Sequence, residues 1–194
     1  MRRLVEEHCR GLVAEEASNS DETLDRVRTN HWDLVVMGLS TDGRGGLELL
    51  KAIKALRPTL PVLVFSMRSE EHYARRSFRA GAAGYITKDR SSGELVKAIR
   101  KVIGGGRYLS PGLAETLVAD FDPQIDRPPH HSLSDREFEV LRLMASAKTV
   151  GEIASLLSLS SRTISTYRAR LLEKLALKTN AQVMRYAIEN KLVE

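Results

Sequence analysis

The chain is poor in cysteine, in aromatic residues and in long apolar runs. Its single cysteine, Cys9, excludes an internal disulfide and fits a reducing cytoplasm. No apolar run approaches the roughly 18 residues of a membrane-spanning helix, and no secretory signal is recognisable at the amino terminus. Hydrophobic residues still make up 42% of the 194 positions, enough for packed cores. We therefore expect a folded cytoplasmic protein with no membrane partner.

Positive charge exceeds negative charge by a modest margin, with a formal net charge of +5. The excess is concentrated between Arg162 and Lys178, where five Lys or Arg side chains accompany one acid, Glu173. This local excess favours nucleic acid as a partner. His130 and His131 are adjacent but have no companion ligands, so we interpret them as linker residues. The sequence predicts no metal, no cofactor and no enzymatic activity.

Residues 132–194 have the pattern of a helix-turn-helix unit. Ser134 and Glu137 are spaced as a capping box at the start of a first helix. A second helix is predicted over Val150–Leu157, and Ser160 is placed to cap a third from Arg162 to about Leu175. At about 100° per residue, the third helix has an apolar stripe and an opposite small, polar and basic face. The stripe comprises Ile164, Tyr167, Leu171 and Leu175, and the opposite face comprises Arg162, Ser165, Thr166, Ala169 and Arg170.

Such a helix fits the major groove of DNA, whereas its charges alone would also suit a solvated amphipathic helix. Four motifs carry a resemblance to the LuxR-type C-terminal domain of NarL/FixJ-class response regulators: residues 133–137, 152–154, 159–164 and 172–175. The resemblance implies a third helix in the groove and a fourth, Asn180 to Asn190 with Asn180 as cap, that forms a homodimer. It implies base contacts by Ser165, Thr166 and Ala169, and phosphate contacts by flanking residues, namely Arg162, Thr163 and Lys174. Arg170 shares that face, and Arg168 is expected to contact phosphate or form a salt bridge.

Apolar runs and helical patterns alternate from residue 12 to residue 103, which predicts a parallel sheet covered by helices. The predicted strands are Leu12–Ala14, Leu34–Met37, Pro61–Phe65 and Gly84–Thr87. The predicted helices are Ser20–Arg28, with Ser20 as cap, Gly46–Leu56, Glu70–Ala80 and Ser91–Ile103. Glycine and proline then punctuate residues 104–132, with a short helix over Leu113–Ala119.

Residues 1–119 resemble a response-regulator receiver domain, an α/β fold of the flavodoxin-like type. The motifs that carry this resemblance are residues 33–37, 46–50, 61–66 and 81–88. It implies that Ser66 and Lys88 contact a phosphoryl group and that Tyr85 is the aromatic switch residue. With a linker over 120–131, the domains are predicted at 1–119 and 132–194.

The receiver departs from its family at the phosphorylation site. Gly38 occupies the position of the acceptor aspartate and offers no carboxylate, while Asp42 would be a substitute acceptor in the following loop. The family's first strand and its Mg²⁺-binding acids are also missing, so we expect a truncated receiver on which no cognate kinase acts. Three outcomes stay open: the next strand takes the vacant place, the first 30 residues are loose, or the true start lies upstream.

These features predict a sequence-specific DNA-binding transcription regulator that is not controlled by aspartyl phosphorylation. Control by a ligand or partner at the receiver is one alternative. A protein-interaction antagonist that heterodimerises with intact response regulators is another, although it would not need the basic third helix. An eroded, inactive gene product is the last.

Overall fold

A computed structural model describes residues 11–39, 45–110, 112–114 and 128–193 of the chain. The described residues form two compact units, one up to residue 114 and one from residue 128. The first combines a parallel sheet with helices, and the second is entirely helical. This is the predicted fold class. The domain limits at 119 and 132 remain predictions, because the chain between 115 and 127 lies outside the described residues.

The first unit is built on three parallel strands in the order β1 (Val35–Met37), β2 (Val62–Ser66) and β3 (Gly84–Thr87). Val36 is paired with Leu63, and Val64 is paired with Tyr85. The central strand is apolar and almost completely buried, as expected for a parallel sheet with covered faces. Its carboxyl end carries Ser66, a residue that the resemblance predicts to contact a phosphoryl group.

Among the described residues, four helices of ten or more residues accompany the sheet: α1 (Ser20–Thr29), α2 (Gly46–Leu56), α3 (Glu70–Arg79) and α4 (Ser92–Ile103). Leu47, Leu50 and Ile53 of α2 are buried. The predicted cap of α1 is wrong by one residue. Asn19, not Ser20, has the extended backbone of a cap, and its side-chain oxygen accepts a hydrogen bond from the backbone N–H of Glu22 at 2.9 Å.

The predicted strand over Leu12–Ala14 is wrong. Residues 12–17 form no regular secondary structure, and among the described residues β1 is hydrogen-bonded to β2 alone. Leu12 and Ala14 nevertheless pack on the cluster formed by β2, β3 and α4. The alternation of apolar residues in this segment therefore reflects partial burial of Leu12 and Ala14, and not hydrogen bonding to a neighbouring strand. A short helix is predicted over Leu113–Ala119. Residues 112–114 are helical in the structure, and residues 115–119 lie outside the described residues.

The second unit begins with a 3₁₀ turn, Pro129–Ser132, followed by α5 (Asp135–Ala145), α6 (Val150–Leu157), α7 (Ser161–Lys174) and α8 (Asn180–Glu189). Helix α5 packs against both α7 and α8, and α6 packs against α7. The core consists of side chains with no more than 1% exposure, among them Phe138, Leu141, Ile153, Leu157, Ile164 and Leu171. No described helix has the length and apolar character needed to cross a membrane.

Capping boxes begin three of these helices. The predicted Ser134–Glu137 box is present at α5, and similar boxes at α6 and α8 start from Thr149 and Thr179. The prediction of Asn180 as the cap of α8 is therefore wrong, because Thr179 has the extended backbone and its hydroxyl accepts the Gln182 N–H. Helices α5 to α8 each end near a non-glycine residue with positive φ: Ala147, Ser158, Ala176 and Lys191.

His130 is not a linker side chain, contrary to the sequence interpretation. It lies in the 3₁₀ turn of the second unit with 3% of its surface exposed. Its Nδ1 lies 3.0 Å from the Tyr186 hydroxyl of α8, and its backbone N–H donates to the same oxygen at 3.2 Å. The histidine ring also packs near Phe138. The 3₁₀ turn is therefore fastened to α8.

Candidate nucleic-acid interface

The turn between α6 and α7 sets the direction of the third helix of the helix-turn-helix. Ser158 ends α6 in the left-handed conformation, with φ of 53°. Ser160 then caps α7, as predicted: its Oγ accepts the Thr163 N–H at 3.1 Å and lies 2.8 Å from Thr163 Oγ1. The cap satisfies one of the otherwise unpaired amides at the start of the helix. The amino-terminal turn of α7 is thereby ordered.

The apolar stripe of α7 faces the core of the second unit. Ile164 and Leu171 are fully buried, Leu175 is buried, and Tyr167 is half-buried. These side chains seat the helix against α5 and α6. The predicted division of this helix into an inner and an outer face is thus present in the structure.

The outer face of α7 is exposed along its length. It consists of five residues on one side of the helix: Arg162, Ser165, Thr166, Ala169 and Arg170. The Ser165 hydroxyl donates to the Ser161 carbonyl at 2.9 Å, and the Thr166 hydroxyl donates to the Arg162 carbonyl at 3.1 Å. Each hydroxyl oxygen keeps accepting capacity, and its rotor can turn outward at little cost. The face therefore offers small polar groups flanked by two guanidinium groups.

Two basic side chains of α7 have partners within the unit. The Lys174 ammonium lies 2.6 Å from Oε2 of Glu137 on α5, and Glu137 is buried. Arg168 donates from Nε to Oδ1 of Asn180 at 2.9 Å, close to the junction with α8. Sequence reasoning did not identify either partner. Thr163 is half-buried and engaged at the cap, so its exposed part lies at the edge of the outer face.

The carboxylate of Glu137 is held in its charged form. Burial raises the pKa of Glu137, but hydrogen bonds from Lys174 and from Ser134 outweigh burial and lower the pKa overall. Its Oε2 accepts both the Ser134 N–H at 2.8 Å and the Lys174 ammonium. The same side chain therefore completes the capping box of α5 and binds the last turn of α7.

Helix α8 has one buried and one exposed side. Val183 and Ala187 have no exposed surface, whereas Ile188 is 65% exposed. Around Ile188 lie exposed polar residues, including an ion pair from Arg185 to Glu189 at 2.8 Å. On this side of α8, Ile188 is thus a single exposed aliphatic side chain among polar groups.

In the first unit, Gly38 follows β1 directly at the carboxyl edge of the sheet. A Cβ atom there would meet the Phe65 carbonyl oxygen at 3.6 Å, which is an ordinary contact. Ser66 is buried at the end of β2, and its Oγ accepts the Arg68 N–H at 3.1 Å. Asp42, the possible substitute acceptor, lies outside the described residues.

The other two predicted receiver residues are close to Ser66. The Lys88 N–H donates to the Ser66 carbonyl at 2.9 Å, and the Lys88 ammonium lies 5.7 Å from the centre of the Phe65 ring. Tyr85 is fully buried, and its hydroxyl donates to the Arg68 carbonyl at 2.8 Å. Burial is the main cause that raises the pKa of Tyr85. Within the described ranges, no three His, Cys, Asp or Glu side chains are grouped to hold a metal ion.

Two family descriptions match the chain. Residues 1–100 match the response regulator receiver domain, and residues 131–187 match the bacterial regulatory proteins of the luxR family. The response regulator GacA of Pseudomonas viridiflava is 33% identical over 183 residues, which cover 94% of this chain and 86% of that protein. The response regulator UvrY of Escherichia coli K12 is 31% identical over 193 residues, which cover 99% and 88% of the two chains.

Solved structures give the same picture. A LuxR-family two-component response regulator from Aurantimonas is 34% identical with a TM-score of 0.56, covering 61% of this chain and 85% of that one. RcsB from Salmonella enterica serovar Typhimurium, bound to promoter rprA in the presence of phosphomimetic BeF3⁻, is 25% identical. Its TM-score is 0.64, with 90% of this chain and 84% of that chain covered.

Proposed function

The chain belongs to the response regulators that join a receiver domain to a LuxR-type DNA-binding domain, and we propose that it regulates transcription by sequence-specific DNA binding without control by aspartyl phosphorylation. The observation that carries DNA binding is the exposed outer face of α7, which begins at an ordered cap and lies opposite a fully buried stripe. A similar protein, RcsB, has been solved bound to promoter rprA.

We assign the contacts by their reach and chemistry. Ser165 and Thr166 present hydroxyls, and Ala169 a methyl group, to base edges in the major groove. Arg162 and Arg170 flank them and neutralise phosphates, with Thr163 at the rim. Lys174, expected from the family resemblance to bind phosphate, is already paired with Glu137.

Selection of duplexes from a random pool by the full chain tests this function. We expect one enriched sequence, bound with an affinity that falls steeply as salt rises. Arg162→Ala should weaken binding to every duplex, whereas Thr166→Ala should change base preference by about 1–3 kcal/mol at one position. Arg79→Ala is the control, because it removes an exposed guanidinium from α3 of the first unit.

The outcome that would contradict DNA binding is failure to enrich any sequence, together with an affinity that ignores salt. If such a chain instead formed a stable heterodimer with an intact response regulator, the antagonist function would replace the proposed one. The five outward residues of α7 are suited to the major groove of DNA. Their presence favours DNA binding over the antagonist function.

Independence from phosphorylation rests on Gly38, which has no carboxylate to accept a phosphoryl group. Incubation with acetyl phosphate and Mg²⁺ should leave the intact mass and the DNA affinity unchanged. A Cβ atom fits at position 38, so Gly38→Asp tests whether the missing carboxylate alone prevents phosphorylation. A mass increase of one phosphoryl group on the wild-type chain would refute the proposal.

We further propose a homodimer through α8, residues 180–190, which the family resemblance implies and to which Ile188 would contribute an exposed apolar side chain. Ile188→Asp should shift sedimentation toward the monomer and weaken binding to a two-half-site duplex. Met67→Asp is the control, since Met67 is a comparably exposed apolar side chain of the first unit, at 76%. Equal sedimentation of both variants and wild type would exclude this interface.

A further inference from the structure

We infer that Lys174 is a positioning residue and not a phosphate contact: together with Glu137 it clamps the carboxyl end of the DNA-reading helix α7 onto α5. This inference rests on the proposed DNA-binding function. It reassigns a residue whose place at the end of a basic helix otherwise suggests contact with the DNA backbone.

The geometry of the pair supports an internal role. The Glu137 side chain is 4% exposed, while that of Lys174 is 41% exposed, and Nζ of Lys174 lies 2.6 Å from Oε2 of Glu137. The lysine thus keeps part of its stem at the surface while its ammonium is directed to a buried oxygen. That oxygen also accepts the Ser134 N–H at 2.8 Å.

The electrostatics explain why the lysine is needed. A buried carboxylate is strongly unfavourable unless it is paired and hydrogen-bonded. The capping box supplies one backbone donor from Ser134, and Glu137 also lies in the first turn of α5, where the helix dipole favours an anion. Among the contacts described for Glu137, Lys174 is the only cation. Transfer of its ammonium to a phosphate would remove that charge compensation from a buried carboxylate.

The clamp acts at the end of α7 that lacks a cap side chain. The amino end is held by Ser160, the middle by Ile164 and Leu171, and the buried Leu175 follows Lys174 directly. Beyond Lys174, the chain turns immediately through Ala176 at a φ of 54°. Base readout needs groups held within about 0.5 Å of their productive geometry, whereas long Arg side chains tolerate small shifts when they contact phosphates. Loss of the clamp should therefore impair base readout more than general DNA affinity.

The test compares four full-length proteins: wild type, Glu137→Gln, Lys174→Met and the double variant. Glutamine keeps an oxygen to accept the Ser134 N–H, so the cap survives while the charge is lost. Binding is measured over a range of salt on two probes, the duplex enriched by selection and a mixed-sequence duplex of equal length.

We expect each single substitution to lower the ratio of selected to mixed-sequence affinity, with little change on the mixed duplex. The salt slope of Lys174→Met should equal that of wild type, because no phosphate contact is lost. The double variant should regain much of the ratio, since an uncharged pair of similar size leaves no buried charge unpaired.

The opposite pattern would overturn the inference. A phosphate contact predicts that Lys174→Met loses about 0.9 from the salt slope, weakens both duplexes by the same factor, and is not rescued by Glu137→Gln. If a single variant fails to fold by circular dichroism, the double variant decides: a wild-type slope supports the clamp, and a reduced slope refutes it. If wild type itself binds neither duplex, the proposed function fails instead.

Discussion

Replacing Tyr186 by phenylalanine removes one oxygen atom and, with it, two contacts of His130. The hydroxyl accepts the His130 backbone N–H at 3.2 Å and lies 3.0 Å from His130 Nδ1. His130 is 3% exposed, so water does not readily replace the lost partner. A buried polar group that loses its partner costs about 1–3 kcal/mol, and we expect the free energy of unfolding of the second unit to fall by that amount.

For a unit of this size, each kcal/mol corresponds to roughly 4–8 °C in the melting temperature. The shift should be measured on the full chain by urea and thermal denaturation followed by circular dichroism. Trp32 is the only tryptophan and lies in the first unit, so its fluorescence follows that unit separately. Hydrogen exchange should show lost protection at residues 129–132 and in α8.

Tyr167→Phe is the matched control, because Tyr167 is half-buried on α7 and no hydrogen bond of its hydroxyl is described. It should change the free energy of unfolding by a few tenths of a kcal/mol at most. Equal stabilities of the two variants would refute the argument, because they would show that the His130 contacts contribute nothing that water cannot replace.

Three further changes have calculable effects. Ser160→Ala should destabilise the second unit by about 1 kcal/mol in urea denaturation, because the Thr163 N–H loses its acceptor; an unchanged midpoint would disprove the role of this cap. Gly84→Ala should lower the thermal stability of the first unit, since its Cβ would lie 3.0 Å from that of Tyr108; an unchanged Trp32 fluorescence melt would contradict this packing. The lowered pKa of Glu137 means that its contribution to stability is present above the ordinary glutamate pKa of about 4.3 and is lost as pH falls through the folded-state value. Glu137→Gln should therefore flatten the acid limb of a stability–pH curve, and an identical limb would argue against a charged Glu137.

The helices and strands that are bounded by glycine, proline or a capping residue could be predicted closely from the sequence. The bounds of Gly46–Leu56, Gly84–Thr87 and Val150–Leu157 agree with the structure, and each is delimited by glycine, proline or a capping residue. The caps of α1 and α8 were each placed one residue late. Asn19 and Ser20, like Thr179 and Asn180, are neighbouring residues of the same capping class, and backbone geometry alone selects between them.

The long-range contacts had no local pattern from which they could be predicted. Lys174 and Glu137 are 37 residues apart, and His130 and Tyr186 are 56 apart. A basic residue near the end of a DNA-reading helix suits a phosphate contact equally well. The one available signal was the capping-box Glu137, whose apolar neighbours in α5 indicate burial and hence the need for a cation. The outer face of α7, by contrast, followed from helical periodicity alone.

The way the second unit ends its helices has a consequence for engineering. Among the described residues, the first unit reserves positive φ for glycines, whereas the second places Ala147, Ser158, Ala176 and Lys191 there, with φ between 53° and 59°. A side chain in this conformation costs roughly 1 kcal/mol relative to glycine, so the second unit is less stable than its packing permits. Replacing Ala147 or Lys191 by glycine would raise the thermal stability of the second unit, and both sites lie away from the outer face of α7. The added stability would offset the cost of destabilising substitutions on α7 that change its base preference.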